Sequence, residues 1–256
     1  MIRPVGLVLF LTASLSVSAC SFRLGDDSPG ELGEARFEYS SSSCLFGCSM
    51  ERPALAGSIV TVVARTEEGD RRLTARIAGS SSARIAEQRE SCHCDDGDTS
   101  RNVEPAERCL ERETKRCSLS VDVDARAPGD ASLELTDASG ALVDRTTLRI
   151  RAAARVDLEV RADRTALAPE ADGVFEVVRG AKVEIESTVR DADGAEMIFS
   201  RSGLRHVYAD RAVLSPDEKV LLGATDVEYV VTGRAGETSI TTQAYGAEAV
   251  ARFRVR

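Results

Sequence analysis

The chain has 256 residues, a net charge of −9 at neutral pH, and positive charges that are nearly all arginine, scattered among acidic residues. No basic stripe is present to displace counterions from phosphates, which argues against a nucleic-acid partner. Apolar residues make up 43% of the chain, yet only 4% are aromatic and none is Trp, so Val, Ala, Leu and Ile must fill the core, and the length suits two domains.

The first 19 residues have the layout of an export signal: one positive charge at Arg3, an apolar stretch from Val5 to Leu15, then small residues. The apolar run is short for a membrane-spanning helix, and no other run is as hydrophobic, so no permanent transmembrane segment is expected. Val17-Ser18-Ala19-Cys20 resembles the lipobox of bacterial lipoproteins. The resemblance implies a diacylglycerol on the Cys20 sulfur, cleavage before Cys20 and acylation of the new amino group, a palmitate-type anchor that joins the chain to a membrane. Ser21 follows, not the Asp associated with inner-membrane retention, so the sorting rules of proteobacterial lipoproteins imply the outer membrane of a Gram-negative cell envelope.

Residues 20–34, rich in Gly, Asp and Ser, read as a flexible tether. From Ala35 onward short apolar residues alternate by two, with breaks at Gly, Asp and Ser, as in half-buried strands. Ser58–Arg65, Leu119–Asp124, Ser132–Thr136 and Thr147–Arg151 follow this pattern, and so do Val156–Val160, Lys182–Val189, Thr225–Val231, Ser239–Gln243 and Ala251–Val255. The charged segment around Glu104 to Lys115 is the one place outside the signal with some helical character. The expected class is all-β.

Two segments repeat one another. Gly129 and Ser132, with the strands after them, parallel Gly236 and Ser239 at a spacing of 107 residues, and Gly57-Ser58-Ile59-Val60 parallels Gly180-Ala181-Lys182-Val183. The expected organisation is therefore two tandem immunoglobulin-like β-sandwiches, 35–153 and 154–256. Both halves resemble bacterial immunoglobulin-like domains. The second does so most clearly, through Gly180, Val183 and Ile185 with Val189 to Gly194, and through Gly236 and Ser239 to Thr242 with Phe253 to Val255. That family implies spacers, adhesins or envelope binding modules and no enzyme chemistry.

Seven cysteines are present. With Cys20 taken by lipid, Cys44, Cys48, Cys92, Cys94, Cys109 and Cys117 remain, all in the first half, and in an oxidising compartment these imply three disulfides whose pairing the sequence leaves open. Cys92 and Cys94 are too close for an unstrained bridge, so each is expected to pair elsewhere. Residues 86–118 are far more polar than their surroundings and have no counterpart in the second half. They read as an inserted, disulfide-stapled loop, the expected contact for a partner protein or glycan. A rival reading takes Cys92-His93-Cys94 and the other cysteines as soft ligands for zinc or copper, although their spacing fits no zinc finger.

Other motifs are incomplete. Asp191-Ala192-Asp193-Gly194 begins like a calcium loop but lacks its later ligands, and a tight turn explains it better. The acidic stretch Asp95-Asp96-Gly97-Asp98 reads as solvated. His93 and His206 are the only histidines, His206 reading as a surface or turn residue, and no nucleophile elbow, phosphate loop or zinc-protease helix occurs. No catalytic residue, metal or cofactor is assigned. The expectation is a lipid-anchored, non-enzymatic envelope module that binds through its stapled loop. The alternatives are a passive spacer and an extracytoplasmic metal-binding protein.

Overall fold

The computed structural model describes residues 27–41, 44–66, 72–95, 101–103, 114–200, 203–217 and 226–256, with backbone alone at 41, 44–46, 93–95, 101–103 and 114–116. The signal, Cys20 and Cys109 lie outside the described residues.

Among the described residues every regular element is a strand. The first sandwich contains β1 (Ser28–Pro29), β2 (Ala35–Ser41), β3 (Cys44–Cys48), β4 (Ala54–Leu55), β5 (Ser58–Thr66), β6 (Thr74–Ala78), β7 (Ala83–Asp95), β8 (Arg101–Val103), β9 (Thr114–Ala125), β10 (Gly129–Thr136) and β11 (Leu142–Arg151). One sheet runs β1-β2-β5-β9-β7-β8, with β3 also on β2, and it faces a sheet ordered β4-β11-β10-β6. The second contains β12 (Arg155–Ala162), β13 (Thr165–Ala166), β14 (Val174–Val177), β15 (Lys182–Arg190), β16 (Arg205–Tyr208), β17 (Leu214–Pro216), β18 (Val227–Thr232), β19 (Gly236–Ala244) and β20 (Ala247–Val255). Its sheets are β13-β12-β15-β18-β17 and β14-β20-β19-β16.

The two plans coincide. In chain order, β2, β5, β7 and β9 correspond to β12, β15, β17 and β18, and β4, β6, β10 and β11 to β14, β16, β19 and β20. Each sandwich places its first, second, fifth and fourth main strands in one sheet and the third, sixth and seventh in the other, which is the immunoglobulin arrangement. The short β4 and β14 run parallel to the final strands β11 and β20 in both. Paired turns carry the same backbone: φ is +76° at Gly57 and +83° at Gly180, and +148° at Gly129 and +151° at Gly236. Side chains with a Cβ rarely adopt these angles, so the four glycines are the local signals that start β5, β15, β10 and β19. The chain is all-β and forms two tandem immunoglobulin-like sandwiches.

Alternation supplies the cores. In β5, Val60, Val62 and Ala64 point inward, and in β10 Ala131, Leu133 and Leu135 meet them with Phe37, Tyr39, Val121 and Ile150. In the second sandwich Val183 and Ile185 pack with Val230, Ile240, Phe253 and Val255.

Two features differ from the sequence expectation. Ser28 and Pro29, in the segment read as tether, pair with Phe37 and Arg36 as β1. The fully buried Asp144 on β11 holds the turn that follows, accepting the amides of Leu32 (2.9 Å), Glu34 (2.8 Å) and Ala35 (2.7 Å). A polar, glycine-containing stretch is thereby ordered by a carboxylate far away in sequence.

The sandwiches are also fused. Ile198, in the connection between β15 and β16, bridges to Ala54 as a parallel pair, with Leu55 N–H donating to Ile198 O and Ile198 N–H to Pro53 O, both at 2.8 Å. The Ile198 side chain belongs to the core of the first sandwich. Around it Leu55, Ala153, Val156, Val189, Met197 and Phe199 form a separate apolar cluster at the junction. Arg52 pairs with Glu196 at its rim.

Candidate functional site

Residues 86–118 do not form a loop throughout. Their flanks are the outer halves of β7 and β9, which pair from Ala83↔Ala125 to Asp95↔Thr114, with a bulge at Ile85 to Glu87. The polar composition hid the strands because most of the described β7 side chains face solvent. On its other side β9 is covered by β5 only as far as Ser118↔Arg65. Beyond that point, among the described residues, β9 runs with β7 alone, and β8 adds to β7 at Cys92↔Val103, His93↔Asn102 and Cys94↔Arg101. The result is a ribbon that leaves the edge of the first sandwich. Lys115, in the stretch with helical character, lies in β9.

Cys92 and Cys117 face each other across this ribbon and are joined as a disulfide, with Cα atoms 4.0 Å apart. Cys92 is buried and Cys117 half-buried. The bridge ties the strands where the support of β5 ends, so it fixes the ribbon at its root. Their sulfurs lie close to the Glu90 carboxylate, a grouping that could resemble a metal site, but two sulfurs bonded to each other offer no thiolate.

Cys48 on β3 is disulfide-bonded as well. Cys44 and Cys94 are described by backbone alone, in β3 and β7, as is His93 in β7. Below the ribbon, Arg84 pairs with Asp124 at 2.9 Å and Arg89 with Asp122 at 3.2 Å, while Thr61 Oγ1 donates to Asp122 Oδ1 at 2.7 Å. The two ion pairs are exposed, screened contacts that orient side chains more than they stabilise, and the Thr61–Asp122 bond is partly buried.

At the opposite edge of the same sheet, Glu38 is buried on β2 and pairs with Arg65 at 2.6 Å, near a cavity of about 150 Å³ lined by Asp27, Glu34, Arg36 and Arg65. Burial raises the Glu38 pKa above its ordinary value, and Asp27 adds to this against the pull of Arg65.

Asp191 to Gly194 form a turn, with Asp191 Oδ1 accepting the amides of Asp193 (3.0 Å) and Ala195 (2.8 Å), closed by pairing of Arg190 with Glu196. His206 is not a surface or turn residue. It lies on the inner side of β16, its Nδ1 3.0 Å from Thr242 Oγ1, and burial lowers its pKa against the raising effect of Glu228.

No family model matches the chain, and no curated protein sequence does either. Solved structures that are similar include domains 4 and 5 of the S-layer protein SbsC, at 17% identity and TM-score 0.27, covering 53% of this chain and 69% of that one. The Escherichia coli adhesin FdeC is similar at 14% identity and TM-score 0.30, covering 87% of this chain and 64% of that one. InvD of Yersinia pseudotuberculosis is similar at 13% identity and TM-score 0.28, covering 79% and 54%. The immunoglobulin-like assignment rests on the strand order of the chain itself.

Proposed function

We propose that this protein is an exported, non-enzymatic module of the cell envelope, held to a membrane by lipid on Cys20, that contacts a partner protein or glycan through the ribbon of β7, β8 and β9. The observation that carries the reading is the ribbon's position. It leaves a rigid sandwich, is pinned at its root by Cys92–Cys117, and has no counterpart among the described residues of the otherwise matching second sandwich. A rigid scaffold that presents one elaborated edge is a common design for recognition. Anchoring is supported by the small residues before Cys20 and the polar stretch after it. The domain limits follow the sequence reading, with the tether ending near Asp27.

The test uses the full chain expressed in a Gram-negative host. Membrane association is expected to be lost in Cys20→Ser, and a form lacking residues 96–113 is expected to stay on the membrane but lose its cross-linked partner or glycan. Unchanged recovery of the partner overturns the ribbon reading, and a Cys20→Ser protein that stays membrane-bound overturns the lipid reading. The fused junction at Ile198 favours a second reading, a stiff spacer for which the ribbon is expendable. The same deletion separates the two.

A further inference from the structure

The two sandwiches share a plan but differ on one outer face. In the sheet β14-β20-β19-β16, Ile240 and Thr242 are buried on the inner side of β19, so Thr241 between them points outward. In the ladder it stands between Val207 of β16 and Val250 of β20, whose side chains are 39% and 54% exposed. The next row toward the β19–β20 hairpin is Arg205, Gln243 and Glu248, and the row on the other side of Thr241 brings Ser239 and Arg252.

The first sandwich fills the same face differently. With Ser239 matched to Ser132, Val207, Thr241 and Val250 stand where β6, β10 and β11 carry Arg76, Glu134 and Arg145. That row is satisfied within the chain: Arg76 pairs with Glu134 at 2.7 Å and Arg145 with Glu31 at 2.6 Å. The row of Arg205, Gln243 and Glu248 replaces Thr74, Thr136 and Leu142, so charge has left one row and entered the next. Apolar side chains flanked by charged ones are the pattern of an interface centre with its rim.

The charges specify the form of the partner. Arg205 makes no ion pair with any described residue, and Glu248 accepts a hydrogen bond from Gln243 Nε2 at 3.3 Å. The two lie at opposite ends of one row, one strand to either side of β19. A twofold axis laid along β19 over Thr241 exchanges those strands. Arg205 of each copy then meets Glu248 of the other, Val207 meets Val250, and Thr241 meets itself, so the face complements itself in charge and in apolar contact. An open hollow lined by Gln243, Ala244, Gly246, Ala247 and Glu248 lies where the incoming guanidinium arrives.

We propose that this face pairs two copies of the chain, sheet on sheet, through Val207, Thr241 and Val250, with Arg205–Glu248 ion pairs at the flank. Aligned sheets pack about 10 Å apart, a gap that the long Arg205 side chain spans. Because the axis runs along the strands, both chains point the same way and both first sandwiches lie at the same end of the pair. Three strands, with nine residues in each of β19 and β20, bury roughly 900 Å² in the pair, the size of a weak, reversible contact. The pairing rests on neither the lipid nor the ribbon.

The test is sedimentation of the full chain in mild detergent, at low salt and at concentrations up to the millimolar range. A reversible dimer is expected, weakening as salt rises. Val250→Lys is expected to leave a monomer. Arg205→Glu or Glu248→Arg alone turns both ion pairs into like charges and is expected to raise the dissociation constant about 10-fold. The two together restore the pairs with their signs exchanged and are expected to return it to within about 3-fold of native, a rescue that a loss of folding would not give. All three side chains are exposed, and an unchanged melt shows that each variant is folded. The proposal is overturned by a monomer at every concentration, by a dimer indifferent to Val250→Lys, or by a double reversal no tighter than the single ones.

Discussion

The Ala35 amide donates to Asp144 Oδ2 at 2.7 Å, so the first long strand of the protein begins on a carboxylate supplied by β11. The same group accepts from Leu32 and Glu34, and a Cβ added to Gly30 would lie 2.3 Å from it. Asp144→Ala removes the acceptor of the Leu32, Glu34, Ala35 and Arg145 amides and is expected to cost about 3 kcal/mol, given the usual penalty per unsatisfied group and partial access of water here. Gly30→Ala is expected to disrupt the same turn. Urea denaturation of the two single variants and the double variant checks this: the effects should be less than additive, and full additivity counts against a shared turn.

Ile198 couples the two sandwiches. It enters the core of the first from a connection of the second, so Ile198→Ala is expected to destabilise the first sandwich by about 3 kcal/mol, in the range for large-to-small core changes. Amide exchange read in β10 and β11 is the measurement. Faster exchange confined to the second sandwich would mean that the junction carries no load.

The Cys92–Cys117 bridge closes a sequence separation of 25 residues. On the chain-entropy relation, removing it with Cys92→Ser and Cys117→Ser is expected to cost about 3.5 kcal/mol. Because the ladder of Ala83 to Ser91 with Ser118 to Ala125 lies inside the sheet, the inner halves of β7 and β9 should keep slow amide exchange while the ribbon beyond Cys92 quickens.

Acid titration should reveal Glu38. Its folded pKa lies above the ordinary 4.5, chiefly through burial, so its stabilising contribution is complete below pH 4.5 and is lost as pH rises through the folded value. Relative to Glu38→Gln, the native protein should therefore lose stability on going from pH 4 to neutral. The exposed Asp172 and Asp210 act in the opposite sense: Arg254 and Arg234 respectively lower their pKa values, and their contributions fade in acid. Paired melts of native protein and Glu38→Gln across this range isolate the Glu38 part, and a difference that does not move with pH counts against it.

The all-β class and the duplication were legible in the sequence because both are local. Gly57, Gly129, Gly180 and Gly236 mark turns that only glycine takes readily, and the residues after them alternate by two. What was not legible depends on remote pairing. Ser28 and Pro29 become a strand only through β2 and the distant Asp144. The outer half of β7 has no apolar alternation, the described side chains of the strand are largely solvated, and a bulge at Ile85 to Glu87 shifts their facing, so only the ladder with β9 reveals it. The facing of β18 was hidden for a related reason. Glu228 looks like an outward position of a half-buried strand until the register of β18 sets it opposite the buried Ile185 of β15.

The parallel pairing of β14 with β20, matched by β4 with β11, has a mechanical consequence. Tension that enters the second sandwich along β14 and leaves along β20 slides the two strands past each other. The backbone bonds at Val174 to Val177 against Arg252 to Val255 are then loaded together in shear, whereas an antiparallel hairpin pulled at its open end unzips one bond at a time. The clasp of the first sandwich has two residue pairs and that of the second has four, so under such a pull the first is expected to slide at the lower force.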